Sequence, residues 1–572
     1  MNDKYDTIEK HMTQSQVGGR KGMNIRNHIW VANGITHDVL NNKNANPIDV
    51  QVLDVKQYFD ALWAEDSLCD FYKYGIQDNT INILENATKD IQFAVKTPVG
   101  KTERQLMHSR LVLQGDVFGP EFCATSIDTF GKECIDEDKY LYKYKDKVSI
   151  PPLAMLDDLY CVSTCGPESV KLNSFINYKI SSKKLQFGIE KCKKLHIGKT
   201  HEKVTCPELR IDGWTEERVK EVETGKVKMS DIFQGDAVLE MSHEEKYLGN
   251  ILSEDGKNTK NVISRRNKGY GLVNEISAML VEAMLGKEHF ETAILIRNAI
   301  LVSSLIFNCE AWYGLTKKEI DMLEKVDEQL LRKILECSAK NPKYLMYLDL
   351  GAVPIKFLIQ ARRLGFLKYI LDQNETSLVK QVFDVQQSDP KKGDWISTVN
   401  KDMKKLNLKY TFDEIKQISK NTFKNIIRET IENAALKNLT LQIKTKGKEL
   451  KFEKLEMQNY LKSDSDLNIE EKKIAFKLRA RMLDIKMNMK KKHTNFKCPV
   501  CDKKGEENEE TQEHMYICTN YILDSVNVVE DISEIFCNKR NTVKFKEIVK
   551  KYQTRLKERE NIIKERTDET NN

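Results

Sequence analysis

Proline and glycine are scarce in this chain, at 11 and 26 of 572 residues. So few breakers leave long uninterrupted stretches, and helices are expected to dominate. A signal-peptide opening is missing as well: Met1 to Lys21 is polar throughout, without the charged-then-apolar order that such a segment needs. Apolar runs long enough to cross a bilayer are also lacking. The longest, Ala293 to Phe307, is interrupted by Arg297 and Asn298 and reads as a buried helix, so no membrane partner is expected. There is no internal repeat. The 13 cysteines are odd in number and scattered. That excludes an orderly disulfide framework and points to a reducing, intracellular setting, nucleus and/or cytoplasm, with free or metal-bound thiols.

A strong excess of one charge is absent too. Lys plus Arg is 92 against 86 for Asp plus Glu, a formal +6. Such a balance permits nucleic-acid binding without demanding it, because clustering of positive charge matters more than the total. What is present is a globular composition, 40% apolar and 31% charged, which excludes wholesale disorder. The length suggests two to four structural units.

Local patterns place the elements. Ile48 to Val55, after Pro47, is strand-like. A helix is expected from Asp66, burying Leu68, Phe71 and Tyr72 and stopping at Gly75. Leu153 to Tyr160 is apolar around two aspartates, the pattern of two short strands joined by a tight acidic turn. Gly166-Pro167 opens a helix with Leu172, Phe175, Ile176 and Ile180 on one face. Thr316-Lys-Lys-Glu319 is a capping box, starting a helix that turns Ile320, Leu323, Leu330 and Ile334 inward. A helix over Glu471 to Lys490 is expected to set Ile474, Leu478, Met482, Ile485 and Met489 on one face, with Lys472, Arg479 and Lys486 on another. The charged tail from about Asn538 reads as a solvated, fraying helix.

Two acidic positions invite a chemical reading. Nucleotidyl transfer uses two divalent ions held by carboxylates on rigid elements. One strand runs into Asp54, and the acidic turn carries Asp157-Asp158. Alone, a paired aspartate is most often a solvated turn, so the context decides.

That context resembles the reverse transcriptases of LINE-type (non-LTR) retrotransposons. Val52-Leu-Asp54-Val-Lys-Gln-Tyr-Phe59-Asp60 resembles their motif A, and Leu113-Gln114-Gly115-Asp116-Val-Phe-Gly-Pro120 resembles motif B. Ala154-Met-Leu-Asp157-Asp158-Leu159 is similar to motif C, Lys184 to Cys192 to motif D, and Tyr247-Leu-Gly249 to motif E. The order A to E is kept. Upstream, Gln16-Val-Gly-Gly19-Arg20-Lys21-Gly22 looks like the late-fingers segment. The resemblance runs to about Cys518. In two places the sequence departs: Met155 and Leu156 stand where an aromatic and Ala are usual, and Gly119 where Ser is common.

The resemblance implies an α+β, right-hand polymerase. Its parts would be partial fingers (1–46), a palm with motifs A to E (47–255), a helical thumb (256–345), a helical connection region (346–492), a zinc knuckle (493–525) and the charged tail (526–572). It implies RNA template, DNA primer and dNTPs as partners, and two Mg²⁺ ions on Asp54, Asp157 and Asp158. Phe59 would exclude a ribose 2′-hydroxyl, and Gln114 and Gly115 would approach the incoming nucleotide. Lys191 would protonate the departing pyrophosphate. Family members have basic fingers residues upstream of the segment seen here; Arg20 and Lys21 would be partial substitutes. A truncated or domesticated copy that binds nucleic acid without synthesis is the alternative.

Cys498-x2-Cys501-x12-His514-x3-Cys518 has the spacing of a structural Zn²⁺ site. It either contacts RNA, as the resemblance implies, or serves as a small structural staple. Basic clusters at Arg265-Arg266-Asn-Lys268, Lys404-Lys405, Lys490 to Lys492 and Lys503-Lys504 either track phosphates or form solvated helix faces.

Overall fold

The computed structural model describes residues 8–76, 79–88, 92–94, 96–102, 105–106, 119–136, 140–199, 206–213, 215–226, 235–283, 286–444, 450, 452–489, 495–521 and 543–571. The fold is mixed α and β. It divides into two compact units, one of Met1–Asn261, Glu310–Leu315 and Phe366–Lys401, the other of Val262–Cys309, Thr316–Gly365 and Asp402–Asn572.

The first unit is organised by a five-stranded sheet. Its strands are β1 (Ile48–Leu53), β2 (Leu153–Met155), β3 (Asp158–Thr164), β4 (Lys193–Ile197) and β5 (Glu240–Met241), in the order β5-β4-β1-β3-β2. β1 lies between β3 and β4, antiparallel to both. All six of its residues are buried. Ile48, Val50 and Val52 alternate there with Asp49 and Gln51, so one face is apolar and the other carries buried polar groups that need partners. Gln51 accepts a hydrogen bond from the Asn173 amide at 3.0 Å.

Helices cover the sheet. They include α1 (Ile25–Asn41), α2 (Tyr58–Ala61), α3 (Ala64–Lys73), α4 (Gly119–Asp136) and α5 (Pro167–Ser182). Phe71 of α3 stacks on Phe122 of α4 at 4.4 Å, and Phe130 of α4 on Phe175 of α5 at 5.6 Å. Leu172, Phe175, Ile176 and Ile180 all point inward from α5, as their spacing requires. Tyr72 does not: it is 57% exposed. The inward tyrosine is Tyr74, whose hydroxyl donates to Asp128 at 2.6 Å. Gly75, at φ +84°, ends the turn.

The second unit is helical over most of its described length. The Thr316 capping box is present at the head of α6 (Lys317–Ile334), whose Leu323, Leu330 and Ile334 are buried while Ile320 is half-buried. By length and composition alone, the helical stretch His289–Ala311 would cross a membrane. Within this unit Phe290, Ala293, Leu301 and Leu305 are buried, but Leu295 and Ile300 are exposed. The expected buried helix is therefore buried on one side only. Arg297 is inside, bidentate to Asp327 at 2.6 and 2.7 Å.

Two expectations for this unit fail. The helix expected to reach Lys490 stops early, as α7 (Ile469–Arg479). Arg481 takes φ +53°, and the Arg481 and Met482 N–H groups donate back to the Leu478 and Lys477 carbonyls. That is a Schellman closure. Glycine normally signals it, and here arginine fills the position, so the sequence gives no warning. The face that carries Lys472 and Arg479 is buried too. Lys472 is fully buried on the Leu461 and Lys462 carbonyls. Arg479 is bidentate to Asp349 at 2.9 and 3.1 Å, and Asp349 also accepts from the Tyr460 hydroxyl at 2.7 Å.

The tail is the second failure. It forms α8 (Val543–Asn571), and it is packed rather than solvated. Phe545, Ile548, Val549, Tyr552, Arg555 and Arg559 are buried along one stripe. Their spacing is helical, but two arginines in the stripe disguise it as a charged face.

Candidate active site and metal cluster

The β1–β3 ladder sets the acidic corner. Leu53 pairs with Leu159, so the next residue on either side brings Asp54 opposite Asp158. Asp157 sits in the turn between β2 and β3. Burial pushes the Asp157 carboxyl up to about 6, with added repulsion from Asp158 and Asp54. Asp158 is raised for the same reasons, burial first and then Asp54. The three carboxylates therefore share one electrostatic site, although their oxygens are not all within the 4.8 Å that marks the tighter Cys/His cluster.

Residues Lys184 to Cys192 wrap around Asp54. The Gly188 N–H donates to the Asp54 carbonyl at 2.9 Å, and the Asp54 N–H meets Cys192 Sγ at 3.3 Å. A Cβ on Gly188 would stand 3.0 Å from Asp54 Oδ2, so this loop passes close beside the carboxylate. Lys191 Nζ lies 3.0 Å from Asp54 Oδ2 while its side chain stays 64% exposed. The hydrogen bond and charge of Asp54 raise the Lys191 ammonium.

Tyr247 joins from a hairpin, β6 (Glu244–Tyr247) and β7 (Asn250–Ser253), turned by Leu248 and Gly249 at positive φ. Its buried hydroxyl donates to the Leu153 carbonyl of β2 at 3.0 Å. Phe59 is half-buried on α2, just past Gln57 at φ +47°, with its ring edge-on to Tyr58. Gln114 and Gly115 lie outside the described residues. Arg20 is buried and held by Glu9 at 2.9 Å and the Gln16 carbonyl at 2.8 Å, whereas Lys21 is exposed.

The Cys/His cluster forms in the second unit. Cys498 caps α9 (Pro499–Lys503), which carries Cys501. His514 lies on α10 (Gln512–Ile517), and Cys518 ends it. All four ligand atoms lie within 4.8 Å of one another. Cys501 Sγ is 3.4 Å from His514 Nε2 and 3.5 Å from Cys518 Sγ. The edges of a tetrahedral Zn²⁺ centre are about 3.5 Å for N···S and about 3.7 Å for S···S, from the usual bond lengths. The four residues thus offer a compact metal-binding arrangement.

No family model matches this chain, and no curated protein matches it. Among solved structures it is similar to telomerase from Candida albicans bound to a TWJ fragment of telomeric RNA. There the identity is 12%, over 70% of this chain and 55% of that one, with a TM-score of 0.33. It is also similar to apo telomerase from Candida tropicalis, at 13% identity over 67% of this chain and 60% of that one, with a TM-score of 0.32. The chain thus spans well under two thirds of these telomerase chains.

The segment that Gln16 opens makes a contact that motif reading does not give. Residues 15–17 run alongside β2: the Ala154 N–H donates to the Ser15 carbonyl at 2.7 Å and the Val17 N–H to the Ala154 carbonyl at 3.0 Å. The buried Gln16 side chain reaches on to Leu156, the residue before Asp157. Of the basic clusters, Arg265 is half-buried over the Phe307 ring at 4.7 Å, while Lys268, Lys404 and Lys405 are exposed. Lys503 pairs with Glu565. Lys490 to Lys492 lie outside the described residues.

Proposed function

We propose that this chain is the polymerase part of a non-LTR retrotransposon reverse transcriptase, copying RNA into DNA. The observation that carries the reading is convergence at the acidic corner. Segments far apart in sequence meet there: Asp54 beside Asp158, Gly188 and Lys191 on Asp54, and Tyr247 against Leu153. On this reading the first unit contains the palm, and the helices after it supply thumb and connection.

Asp54, Asp157 and Asp158 would hold Mg²⁺. Their crowding fits a divalent cation, because neighbouring carboxylates that repel one another are relieved by positive charge. When bound, the ions lower the pKa of the primer hydroxyl and stabilise charge on the departing pyrophosphate. Phe59 closes the space that a ribose 2′-hydroxyl would need. Lys191, charged and exposed, stands ready to donate a proton to the leaving pyrophosphate. Of the two basic residues expected at the triphosphate, Lys21 is the exposed one. Gln114 and Gly115 would line the incoming dNTP. Cys498, Cys501, His514 and Cys518 would bind one Zn²⁺. An intracellular location, nucleus and/or cytoplasm, goes with this reading.

One observation favours the alternative, a nucleic-acid-binding protein without synthesis: Arg20 is committed to Glu9 and the Gln16 carbonyl and cannot grip phosphate as it stands. Primer extension with RNA template, DNA primer, dNTPs and Mg²⁺ separates the two. Incorporation that Asp157→Ala abolishes, with primer-template affinity kept, supports the polymerase. Affinity without incorporation supports the binding protein. Neither affinity nor incorporation overturns both.

A further inference from the structure

At the opposite end of β1 from Asp54, roughly 17 Å along the strand, a second ligand cluster is assembled. Asp49 is fully buried and is the direct cross-strand partner of His196 on β4 and of Ser163 on β3. Cys165 follows Ser163 by two residues, which puts it on the same face. Cys206 comes from the segment after β4. The ligating atoms of Asp49, Cys165, His196 and Cys206 all lie within 4.8 Å of one another.

We propose that these four residues form a further metal site, for Zn²⁺ or a divalent ion of the same ligand preference. Two observations carry it. First, the spacings suit a tetrahedron. His196 Nδ1 is 3.1 Å and Cys206 Sγ 3.7 Å from Asp49 Oδ1, against edges of about 3.3 and about 3.5 Å for Zn²⁺ with these donors. Second, the charges balance. Lys194 is buried among these groups, its ammonium 3.1 Å from Cys206 Sγ, 3.3 Å from Asp49 Oδ2 and 2.7 Å from the Pro207 carbonyl.

Without an ion, the Asp49 carboxylate and the Lys194 ammonium cancel. When a dication binds, both thiols lose their protons to solvent. The dication and Lys194 then balance two thiolates and one carboxylate. The buried cluster is neutral in both states, so neither carries an uncompensated charge. Lys194 acts as a positioning residue, donating to the Cys206 sulfur. The bound ion would staple the Cys206 segment and the β3–α5 turn to the sheet end. None of this depends on the polymerase reading.

Metal content of the full chain, purified reduced with zinc supplied, is the test. The parent is expected to hold two equivalents. Cys498→Ser/Cys501→Ser should keep one, and Cys165→Ser/Cys206→Ser should also keep one. In the first variant, Co²⁺ should give thiolate charge-transfer absorption, and a chelator should expose two thiols to a thiol reagent. Lys194→Met in that background should weaken affinity roughly 10- to 100-fold. If the folded Cys498→Ser/Cys501→Ser variant holds no metal and shows no such absorption, the proposal is overturned. A Cys165–Cys206 disulfide in the reduced parent overturns it as well. The decisive variant leaves this cluster intact, so misfolding of the Cys165/Cys206 variant does not blunt the result.

Discussion

The Gln16 carboxamide closes around the backbone of Leu156. Its Oε1 accepts from the Leu156 N–H at 2.9 Å and from the Gly18 N–H at 2.7 Å, and its Nε2 donates to the Leu156 carbonyl at 3.4 Å. Leu156 needs such support, because at φ +58° it occupies the left-handed region that β-strand turns usually give to Gly or Asn. A Cβ on Gly18 would fall 2.7 Å from Leu156 Cγ, so the approach depends on that glycine. Gln16→Ala strands two buried N–H groups and should cost about 2–3 kcal/mol. Denaturant unfolding of the full chain measures the cost. In primer extension the same variant should lose incorporation rate while primer-template affinity holds. Equal losses in both would show that Gln16 serves the fold alone.

Lys191 separates stability from chemistry. Its ion pair with Asp54 is exposed on the lysine side, so Lys191→Met should leave the unfolding midpoint unchanged. If the lysine donates the proton to pyrophosphate, single-turnover incorporation should fall roughly 100-fold. An unchanged rate would reduce Lys191 to a counter-charge for Asp54.

The pH dependence follows from Asp157. Its carboxyl stands at about 6 in the folded protein against the usual 3.8, chiefly through burial. For a raised acid, the stabilisation is complete below the lower value and lost as pH rises through the upper one. Metal-free protein should therefore lose stability between about pH 4 and about pH 6. The loss should be on the order of 1–2 kcal/mol, allowing for solvent around a partly open group. Asp157→Asn should flatten that slope. Divalent-cation affinity should rise over the same interval, because the proton and the cation compete. A slope that survives in Asp157→Asn would assign the titration elsewhere.

Removing metal from the Cys498 cluster should reach well beyond it. α8 is latched to this module by Tyr552, which donates to the Gln512 carbonyl at 2.8 Å. Arg559 reaches Glu510 at 3.1 Å, and Arg566 reaches Asp502 at 2.7 Å. Chelation in the full chain should therefore strip hydrogen-exchange protection from residues 545–559 as well as from 498–518. Unchanged protection of α8 would mean that the helix holds its place without the metal.

Arg479 and the exposed lysines should behave oppositely. Arg479→Ala leaves Asp349 charged and buried with only Tyr460 beside it, a loss of about 3–5 kcal/mol. The salt dependence of nucleic-acid binding should not change. Lys404→Ala/Lys405→Ala should leave stability alone and, if that face meets phosphate, reduce the salt slope by about 1 per lysine. A shallower slope in Arg479→Ala would place Arg479 on the binding surface.

Local chemistry made much of this protein readable from its sequence. Apolar-rich runs marked the strands around Asp54 and Asp157, because buried strands leave that trace. The Thr316 capping box and the Cys498-to-Cys518 spacing were legible because their partners sit within a few residues or a short loop. Asp54 and the acidic turn were linked by motif order, and their adjacency is a matter of strand register, with Leu53 opposite Leu159.

Groups whose partners are distant in sequence were decided only by the tertiary structure. Lys472 and Arg479 read as a separate helix face and Arg20 as a triphosphate contact, yet each is buried on a partner that no local pattern names. Arg481 ends a helix with no glycine to mark the spot. The tail reads as solvated because Arg555 and Arg559 interrupt its apolar stripe, although both find buried partners in the Cys/His module. Asp49, Cys165, His196 and Cys206 have no motif spacing, and only the pairing of three strands brings them together. The physical reason is the same throughout: a charge or thiol acquires its meaning from what surrounds it, and chain folding, not sequence neighbourhood, chooses those surroundings.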